Sequence, residues 1–162
     1  MHDVQGIYYN VVLRNARRLG PQIGGKQMKR VLTVGVYDFF HLGHLNLFER
    51  AKALGDYLVV AVQDGDYILK YKPEAAIMYS TEERKRLVGA LRVVDEVITY
   101  QDVDRTVTEV PFDVFVLGGD QCHEGFQRAA EWCAEHGKEV VRLPRTEGIC
   151  SSEIKAAVER DS

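Results

Sequence analysis

Two histidines that flank a glycine make up the most chemically suggestive motif of the sequence. The run His41-Leu42-Gly43-His44 follows a valine-rich apolar stretch and precedes a helical pattern. Gly43 would let a ligand approach the backbone, and a helix start offers free N–H groups and the positive end of the helix dipole. Imidazoles at His41 and His44 can donate hydrogen bonds to phosphate oxygens there. The motif therefore predicts a phosphate site, and the alternative is a capping histidine beside one packed in the core.

A second segment suited to phosphate lies near the end of the sequence, at residues 143–152 (LPRTEGICSS). Arg145 carries a fork of donors that matches phosphate oxygens, and Gly148 allows a tight turn. Ser151 or Ser152 is expected to cap the last helix, whose N-terminus would be another anion site. The alternative is an ordinary helix cap with Arg145 as a surface charge.

Further charged residues follow predicted strands. Lys70 and Lys72 occur in a stretch that we expect to be a long loop, and such loops are often active-site lids. The alternative for both is a solvated surface lysine. Asp38 and Asp120 are expected at strand ends, where Asp38 could hold the phosphate-binding loop. Asp120 could bind the base, the ribose or a metal-bound water, or could only form a turn.

Alternating strands and helices would position these groups. Apolar β-branched runs predict strands at 30–36, 57–63, 95–100, 112–117 and 139–143. Helical spacing and caps predict helices at 45–54, after the Ser80–Glu83 capping box, at 124–136 and at 152–160. This alternation predicts an α/β fold, a Rossmann-like, doubly wound, parallel five-stranded sheet with helices on both faces. Such sheets bind ligands beyond the carboxyl ends of the strands, where strand order reverses.

Composition limits the class of protein. The chain has 162 residues, of which 46% are apolar and 28% charged, as expected for a soluble domain. The net charge of −3 lacks the basic footprint of a nucleic-acid-binding protein. No run is long enough for a membrane helix, and no signal-peptide core is present. Three cysteines without CxxC spacing indicate reduced thiols and a cytoplasmic location. We expect residues 1–28 to be an N-terminal arm or leader and 29–162 the main domain.

Several other site signatures are missing from the sequence. It has no GxGxxG after the first strand, no GxxxxGK[ST] and no GxSxG, which leaves dinucleotide binding, P-loop hydrolysis and α/β-hydrolase chemistry unsupported. Cys122 and His123 are adjacent, and adjacent residues rarely chelate one ion well. We therefore predict no metal ion held by protein side chains.

Together, the HLGH run and the RTEGICSS segment resemble the two signatures of the HxGH nucleotidyltransferases, and more narrowly of the cytidylyltransferase-like group. The resemblance covers residues 29–158. It implies an enzyme that joins CTP to a phosphorylated small molecule, with glycerol 3-phosphate the leading acceptor, and releases pyrophosphate. It also implies Mg²⁺ bound mainly through the nucleotide phosphates, a homodimer, and no nucleic-acid or membrane partner.

The resemblance also implies roles for individual residues. Catalytic roles fall on His41, His44, Lys70, Lys72 and Arg145. Nucleotide binding falls on Val36, Tyr37, Asp38, Gly43, Asp120, Thr146, Ile149, Ser151 and Ser152. Acceptor binding falls on Asp66 and Arg84, although Arg84 could equally lie on a solvated helix face.

One residue departs from the family pattern. Cys150 stands where the second signature usually has Ser or Thr. A thiol is a weak donor and acceptor, so we expect Ser151 and Ser152 to take over any contact with phosphate at that helix start.

Other readings remain open at this point. The acceptor could be a choline, ethanolamine or sugar phosphate, and the nucleotide could be ATP. The domain could also be a nucleotide-binding module without turnover, although the intact signatures favour an enzyme.

Overall fold

The computed structural model describes residues 22–23 and 25–160. A short antiparallel pair, β1 (Gln22–Ile23) and β2 (Lys26–Gln27), precedes the main sheet. The main sheet is formed by β3 (Arg30–Gly35), β4 (Tyr57–Gln63), β5 (Glu96–Tyr100), β6 (Val114–Gly118) and β7 (Glu139–Leu143). Most of the expected N-terminal arm lies outside the described residues, and its boundary at residue 28 stays a prediction.

Helices connect the strands of the main sheet. Two longer helices, α1 (Leu42–Lys52) and α5 (Glu124–Glu135), follow β3 and β6. Shorter ones are α2 (Gly65–Tyr71), α3 (Thr81–Gly89) and α4 (Val103–Glu109), and α6 (Ser151–Arg160) ends the described chain. No helix in the described part of the chain is long and apolar enough to cross a membrane.

All five strands of the main sheet are parallel, and their order is β5-β4-β3-β6-β7. The chain moves outward from β3 to β5 and then returns to the other side of β3, so strand order reverses between β3 and β6. This is the doubly wound topology predicted above. The reversal places the expected ligand crevice at the carboxyl ends of β3 and β6.

The sheet is apolar on both faces because helices cover both. One face, which includes Leu32 and Phe115, packs against α4 and α5 through Val107 and Phe126. The other face packs against α1 and α3 through residues such as Phe48. Since the strands are buried on both sides, they read as continuous apolar runs in the sequence, with little alternation.

Two short helices were not predicted from the sequence. Residues 65–71 form α2, where a loop was expected, so Lys70 lies on a helix and Lys72 at its C-cap. The carboxylate of Asp64 caps this helix by accepting from the Asp66 amide, and Thr81 Oγ1 accepts from the Gly65 amide. The second contact comes from a residue distant in sequence, which a local pattern cannot reveal. The helix α4 was also unassigned.

Candidate functional site

The two histidines lie at the start of α1 and accept backbone hydrogen bonds. The Gly43 amide donates to His41 Nδ1 at 3.0 Å, and the His41 amide donates to His44 Nδ1 at 3.3 Å. The two rings stack, with centroids 3.9 Å apart and planes 23° apart. Because both δ nitrogens accept, these bonds assign the proton of each neutral ring to Nε2. The pair therefore presents two Nε2–H donors at a helix N-terminus.

Electrostatics keep both imidazoles neutral at pH 7. The pKa of His44 is lowered to about 4, mainly by burial and then by the neighbouring His41, while the Asp120 carboxylate acts in the opposite direction. The pKa of His41 is also lowered, first by burial and then by the positive charge of Arg145. These effects show that Arg145 is near His41 and that Asp120 is near His44. Both histidines are thus suited to donate from Nε2 without carrying a charge.

Tyr37 lies in the loop before the histidines, and its buried side chain packs beneath them against α1. This residue adopts a left-handed backbone (φ 56°) and is 5% exposed. Its ring packs edge-on against His44, with centroids 5.4 Å apart, and against Phe48 at 5.0 Å. A Cβ on Gly35 would lie 2.7 Å from the Tyr37 ring, which explains the glycine. Since the side chain is buried, any nucleotide contact by Tyr37 must come from its backbone.

One face of α1 holds the second signature in place. Asn46 Nδ2 donates to Thr146 Oγ1 at 3.3 Å. One turn later, the Arg50 guanidinium donates to Pro144 O, also at 3.3 Å. Because these residues are four apart on a helix, they lie on the same face. The helix that carries the histidines therefore also aligns the segment that carries Arg145.

Close backbone approaches complete this alignment. A Cβ built on Gly43 would lie 3.5 Å from Ile149 Cγ2 and only 2.8 Å from a ring carbon of His41. A Cβ on Gly119 would lie 3.5 Å from the Arg145 amide nitrogen. The loops after β3, β6 and β7 thus meet at one edge of the sheet, and they bring together His41, Arg145 and the residues beside them.

The loop after β6 is fixed by Gln121. Its Nε2 donates to Val34 O at 2.8 Å, and its Oε1 accepts from the Gly118 amide at 2.9 Å. Direct pairing of β3 with β6 ends at Thr33 opposite Val116, so the two strands part at this point. The Gln121 amide bridges the resulting gap and keeps the adjacent Asp120 at the crevice.

The Asp38 carboxylate is buried and holds a different segment. It accepts hydrogen bonds from the Met78 amide at 2.8 Å and the Tyr79 amide at 3.1 Å. Lys155 Nζ lies 3.6 Å from Asp38 Oδ2. Ser151 Oγ donates to Asp38 O at 3.2 Å. Asp38 therefore ties the histidine loop to the segment before α3 and to the helix α6.

The start of α6 differs from the sequence expectation. The helix begins at Ser151, and the Ile154 amide donates to Cys150 O at 3.2 Å. Cys150 is therefore the residue at the helix boundary, and the expectation that Ser151 or Ser152 caps the helix is wrong. The glycine of the same segment, Gly148, has a φ of 77°, as its predicted role in a tight turn requires.

Five residues with predicted ligand roles are exposed and are not joined to the histidines by the described contacts. Lys70 lies over the Tyr71 ring, with its ammonium 5.6 Å from the centroid. Lys72 ends α2, and Asp66 begins it. Val36 is half-exposed at the end of β3, and Ser152 is exposed in the first turn of α6. The roles of all of them stay predictions.

Arg84 is fully buried, at 0% exposure. Its guanidinium donates to the carbonyl oxygens of Val36 and Gln63, both at 2.8 Å, and to Tyr79 O at 3.1 Å. It therefore ties the carboxyl ends of β3 and β4 to the segment before α3. The solvated helix face considered as the alternative is wrong. Its acceptor role stays a prediction, and it would require a rearrangement that exposes the guanidinium.

Three positioning residues escaped the sequence reading: Asn46, Gln121 and Lys155. Asn46 could have been found, because it lies three residues after Gly43 and so shares its helix face. Gln121 and Lys155 act on backbone carbonyls of remote segments, and no local pattern signals such partners.

The site is suited to a polyanion. Two neutral Nε2–H donors, the guanidinium of Arg145 and the N-termini of α1 and α6 lie at one edge of the sheet. Each of these groups offers hydrogen-bond donors or positive potential to phosphate oxygens.

A family model described as cytidylyltransferase-like matches residues 32–157. Glycerol-3-phosphate cytidylyltransferase of Bacillus subtilis is 42% identical to the chain over 135 residues, which covers 81% of this chain and 98% of that protein. An FAD synthase of Ferroglobus placidus is 37% identical and covers 77% of this chain and 84% of its own length.

A solved structure also resembles the fold. The lipopolysaccharide core biosynthesis protein of Thermoplasma volcanium superposes with a TM-score of 0.64 at 30% identity. The match covers 74% of this chain and 99% of that one.

Proposed function

The chain belongs to the cytidylyltransferase-like family, and we propose that it transfers the cytidylyl group of CTP to glycerol 3-phosphate. The products are CDP-glycerol and pyrophosphate. The observation that carries the proposal is the stacked pair of neutral histidines, whose Nε2–H donors lie at a helix N-terminus, where the charge of Arg145 also lowers the pKa of His41. The Bacillus subtilis relative supports the choice of nucleotide and acceptor.

The reaction is an in-line displacement at phosphorus. An oxygen of the acceptor phosphate forms a bond to the α-phosphorus of CTP. The bond from that phosphorus to the bridging oxygen breaks, and pyrophosphate leaves with the electron pair. Because the acceptor phosphate is already anionic at pH 7, no general base is needed. Catalysis then consists of positioning two anions and stabilising the charge that develops on the leaving group.

The histidines are suited to that second task. Neutral imidazoles at His41 and His44 can donate from Nε2 to oxygens of the triphosphate, and the Nδ1 contacts fix the orientation of both rings. Arg145 adds a positive charge beside His41. Preorganised donors of this kind act most strongly where charge builds up in the transition state.

Mg²⁺ is proposed as the cofactor. Among the described residues, no group of three or more His, Cys, Asp or Glu side chains is arranged to hold a metal ion. Asp120 offers an exposed carboxylate near His44. This donor set fits an ion that takes most of its ligands from phosphate oxygens and water, with Asp120 accepting from a bound water. When bound, Mg²⁺ neutralises charge on the triphosphate and the leaving pyrophosphate.

The acceptor is proposed to enter from the side of α2. Lys70 and Lys72 are exposed there, and they supply positive charge for its phosphate, while Asp66 can accept from its hydroxyl groups.

We further propose a homodimer that works in the cytoplasm. The free state of Cys122, Cys133 and Cys150 is consistent with a reducing compartment.

The test is a pyrophosphate-release assay with Mg²⁺ that pairs CTP or ATP with a panel of phosphorylated acceptors. We expect release only when CTP and glycerol 3-phosphate are both present, and a product with the mass of CDP-glycerol. The double variant His41→Ala/His44→Ala is the control for contaminating activity. No release from any pair would contradict the enzyme class, and release with a different acceptor would contradict the substrate.

One comparison favours a second candidate, transfer of an adenylyl group from ATP. The relative in Ferroglobus placidus is named for FAD, a product that contains an adenylyl group. Release of pyrophosphate from ATP but not from CTP in the same assay would support this candidate.

A further inference from the structure

Lys155 lies where three parts of the site meet. It is on α6, and its side chain is 31% exposed. Its ammonium donates to Ala76 O at 2.5 Å and lies 3.6 Å from Asp38 Oδ2. It also lies over the Phe39 ring, 5.3 Å from the centroid. One side chain of the last helix therefore contacts both the histidine loop and the segment between α2 and α3.

That segment, residues 72–80, has few other attachments to the site in the described structure. Its C-terminal part is held by the two hydrogen bonds from the Met78 and Tyr79 amides to Asp38 and by Arg84, which donates to Tyr79 O. Its middle is held by the bond from Lys155 to Ala76 O. Its N-terminal end carries Lys72. The Lys72 end is anchored to α2, because the Lys72 amide donates to Ile68 O at 2.8 Å, so the bond from Lys155 is the described contact that fixes the middle of the segment.

We propose that Lys155 is a positioning residue for nucleotidyl transfer, which fastens residues 72–80 to the histidine loop so that α6 and the segment carrying Lys72 face the nucleotide together. This rests on the function proposed above. The residue acts through Asp38 and Ala76, and it needs no contact with substrate.

The charge of Lys155 is central to this role. Asp38 is a buried carboxylate flanked by Tyr37 and Phe39, which both have left-handed backbones (φ 56° and 48°). Such conformations in bulky residues persist only where surrounding contacts enforce them. The nearby ammonium stabilises the carboxylate that accepts from the segment, so that removing it weakens both contacts at once.

Lys155→Met removes the charge and the donors but keeps an unbranched apolar chain over Phe39. Lys155→Arg keeps the charge and can reach the same oxygens. Lys138→Met is a matched control, because Lys138 Nζ donates to Phe112 O at 2.6 Å and lies over that ring at 5.4 Å, at the opposite edge of the sheet. Lys155→Gln serves as a second variant if the methionine variant does not fold.

The first readout is hydrogen exchange by mass spectrometry on peptides that cover residues 72–80. We expect the Met78 and Tyr79 amides to exchange about tenfold faster in Lys155→Met, and at the wild-type rate in Lys138→Met. The second readout is steady-state kinetics. We expect Lys155→Met to lower kcat about tenfold with a smaller change in KM, because displaced cations are missed most in the transition state. Lys155→Arg should restore both.

Unchanged exchange together with unchanged kcat would overturn the proposal. Lower kcat with unchanged exchange would also overturn it, because Lys155 would then act directly on substrate. Equal effects of Lys138→Met on exchange and on kcat would also overturn it, because both lysines would then act through the overall stability of the fold. The exchange result does not depend on activity, so failure of the proposed reaction and failure of the positioning role are distinguishable.

Discussion

Each histidine of the site accepts a backbone hydrogen bond at Nδ1, which leaves Nε2–H able to donate to a ligand. Burial suppresses protonation of both rings, helped by Arg145 at His41 and by His41 at His44, which leaves donors without a fixed positive charge. A permanently charged residue at the same place would bind the triphosphate of the ground state more tightly. A neutral donor gains most when negative charge builds up during the reaction.

The first prediction concerns His44. We expect His44→Ala to lower kcat by about 10²–10³, the usual effect of losing one donor to developing charge. KM for the nucleotide should change only a few-fold. His41→Ala should behave similarly with a larger loss of nucleotide binding, because the His41 ring also accepts from the Gly43 amide at the helix start.

Steady-state kinetics with a calorimetric nucleotide titration would measure both effects. His136→Ala is the matched control, since that ring stacks on Trp132 at the end of α5. Near-normal kcat in both site variants would rule out the phosphate role of the histidines.

A second prediction concerns pH and stability. The pKa of His44 is about 4 in the folded chain and near 6.5 when unfolded, so between these values the unfolded state binds more protons. The free energy of unfolding should therefore fall as pH drops from about 6.5 towards 4. Comparing urea unfolding at pH 7.5 and 5, we expect the wild type to lose about 2 kcal/mol more than His44→Asn, which cannot titrate. Equal losses in the two proteins would show that His44 does not contribute.

Two helix N-termini define the site, and the sequence predicted their first residues with different accuracy. The start of α1 lies at Leu42, three residues before the predicted start at residue 45, so Gly43 and His44 lie in its first turn. The start of α6 was misplaced by one residue, since serines are common caps and cysteine is not. The buried Arg84 was harder still: two of its carbonyl partners, Val36 O and Gln63 O, lie at the carboxyl ends of neighbouring strands, which only the folded sheet brings together.

The third prediction tests the start of α6. Cys150→Ser supplies a hydroxyl at the helix boundary, and we expect it to raise the free energy of unfolding by about 0.5–1 kcal/mol. Kinetic constants should stay within a few-fold of wild type. Ser151→Ala removes the bond to Asp38 O, and should raise KM for the nucleotide or lower kcat. Urea unfolding and steady-state kinetics would check both variants, and a strong kinetic effect of Cys150→Ser with a silent Ser151→Ala would reverse the assignment.

For the whole molecule, the sheet topology was predictable because each buried strand forms an apolar run of its own. The five strands match the expected ranges to within two residues, and the doubly wound order follows from strand–helix alternation. The parting of β3 from β6 could not be read from the sequence. It depends on the residue at which the backbone hydrogen bonds between the two strands end, and no residue type marks that position.

The fourth prediction concerns assembly. Among the described strands of the main sheet, β5 pairs only with β4. The other side of β5 is therefore a free edge in the described structure. An open strand edge can pair with a second copy of the chain, which is why we expect a homodimer. Light scattering at micromolar concentration should give twice the chain mass of 18.4 kDa. A monomer mass across that range would exclude the dimer.

The bridging amide of Gln121 has a consequence for the energetics of nucleotide binding. Where β3 and β6 part, the missing backbone bonds are replaced by a side chain that satisfies both Val34 O and the Gly118 amide. The crevice is therefore present in the folded protein. The free energy needed to separate the two strands there is part of the free energy of folding. We therefore expect a nucleotide to bind without rearranging the central strands, so that little of its intrinsic affinity is lost.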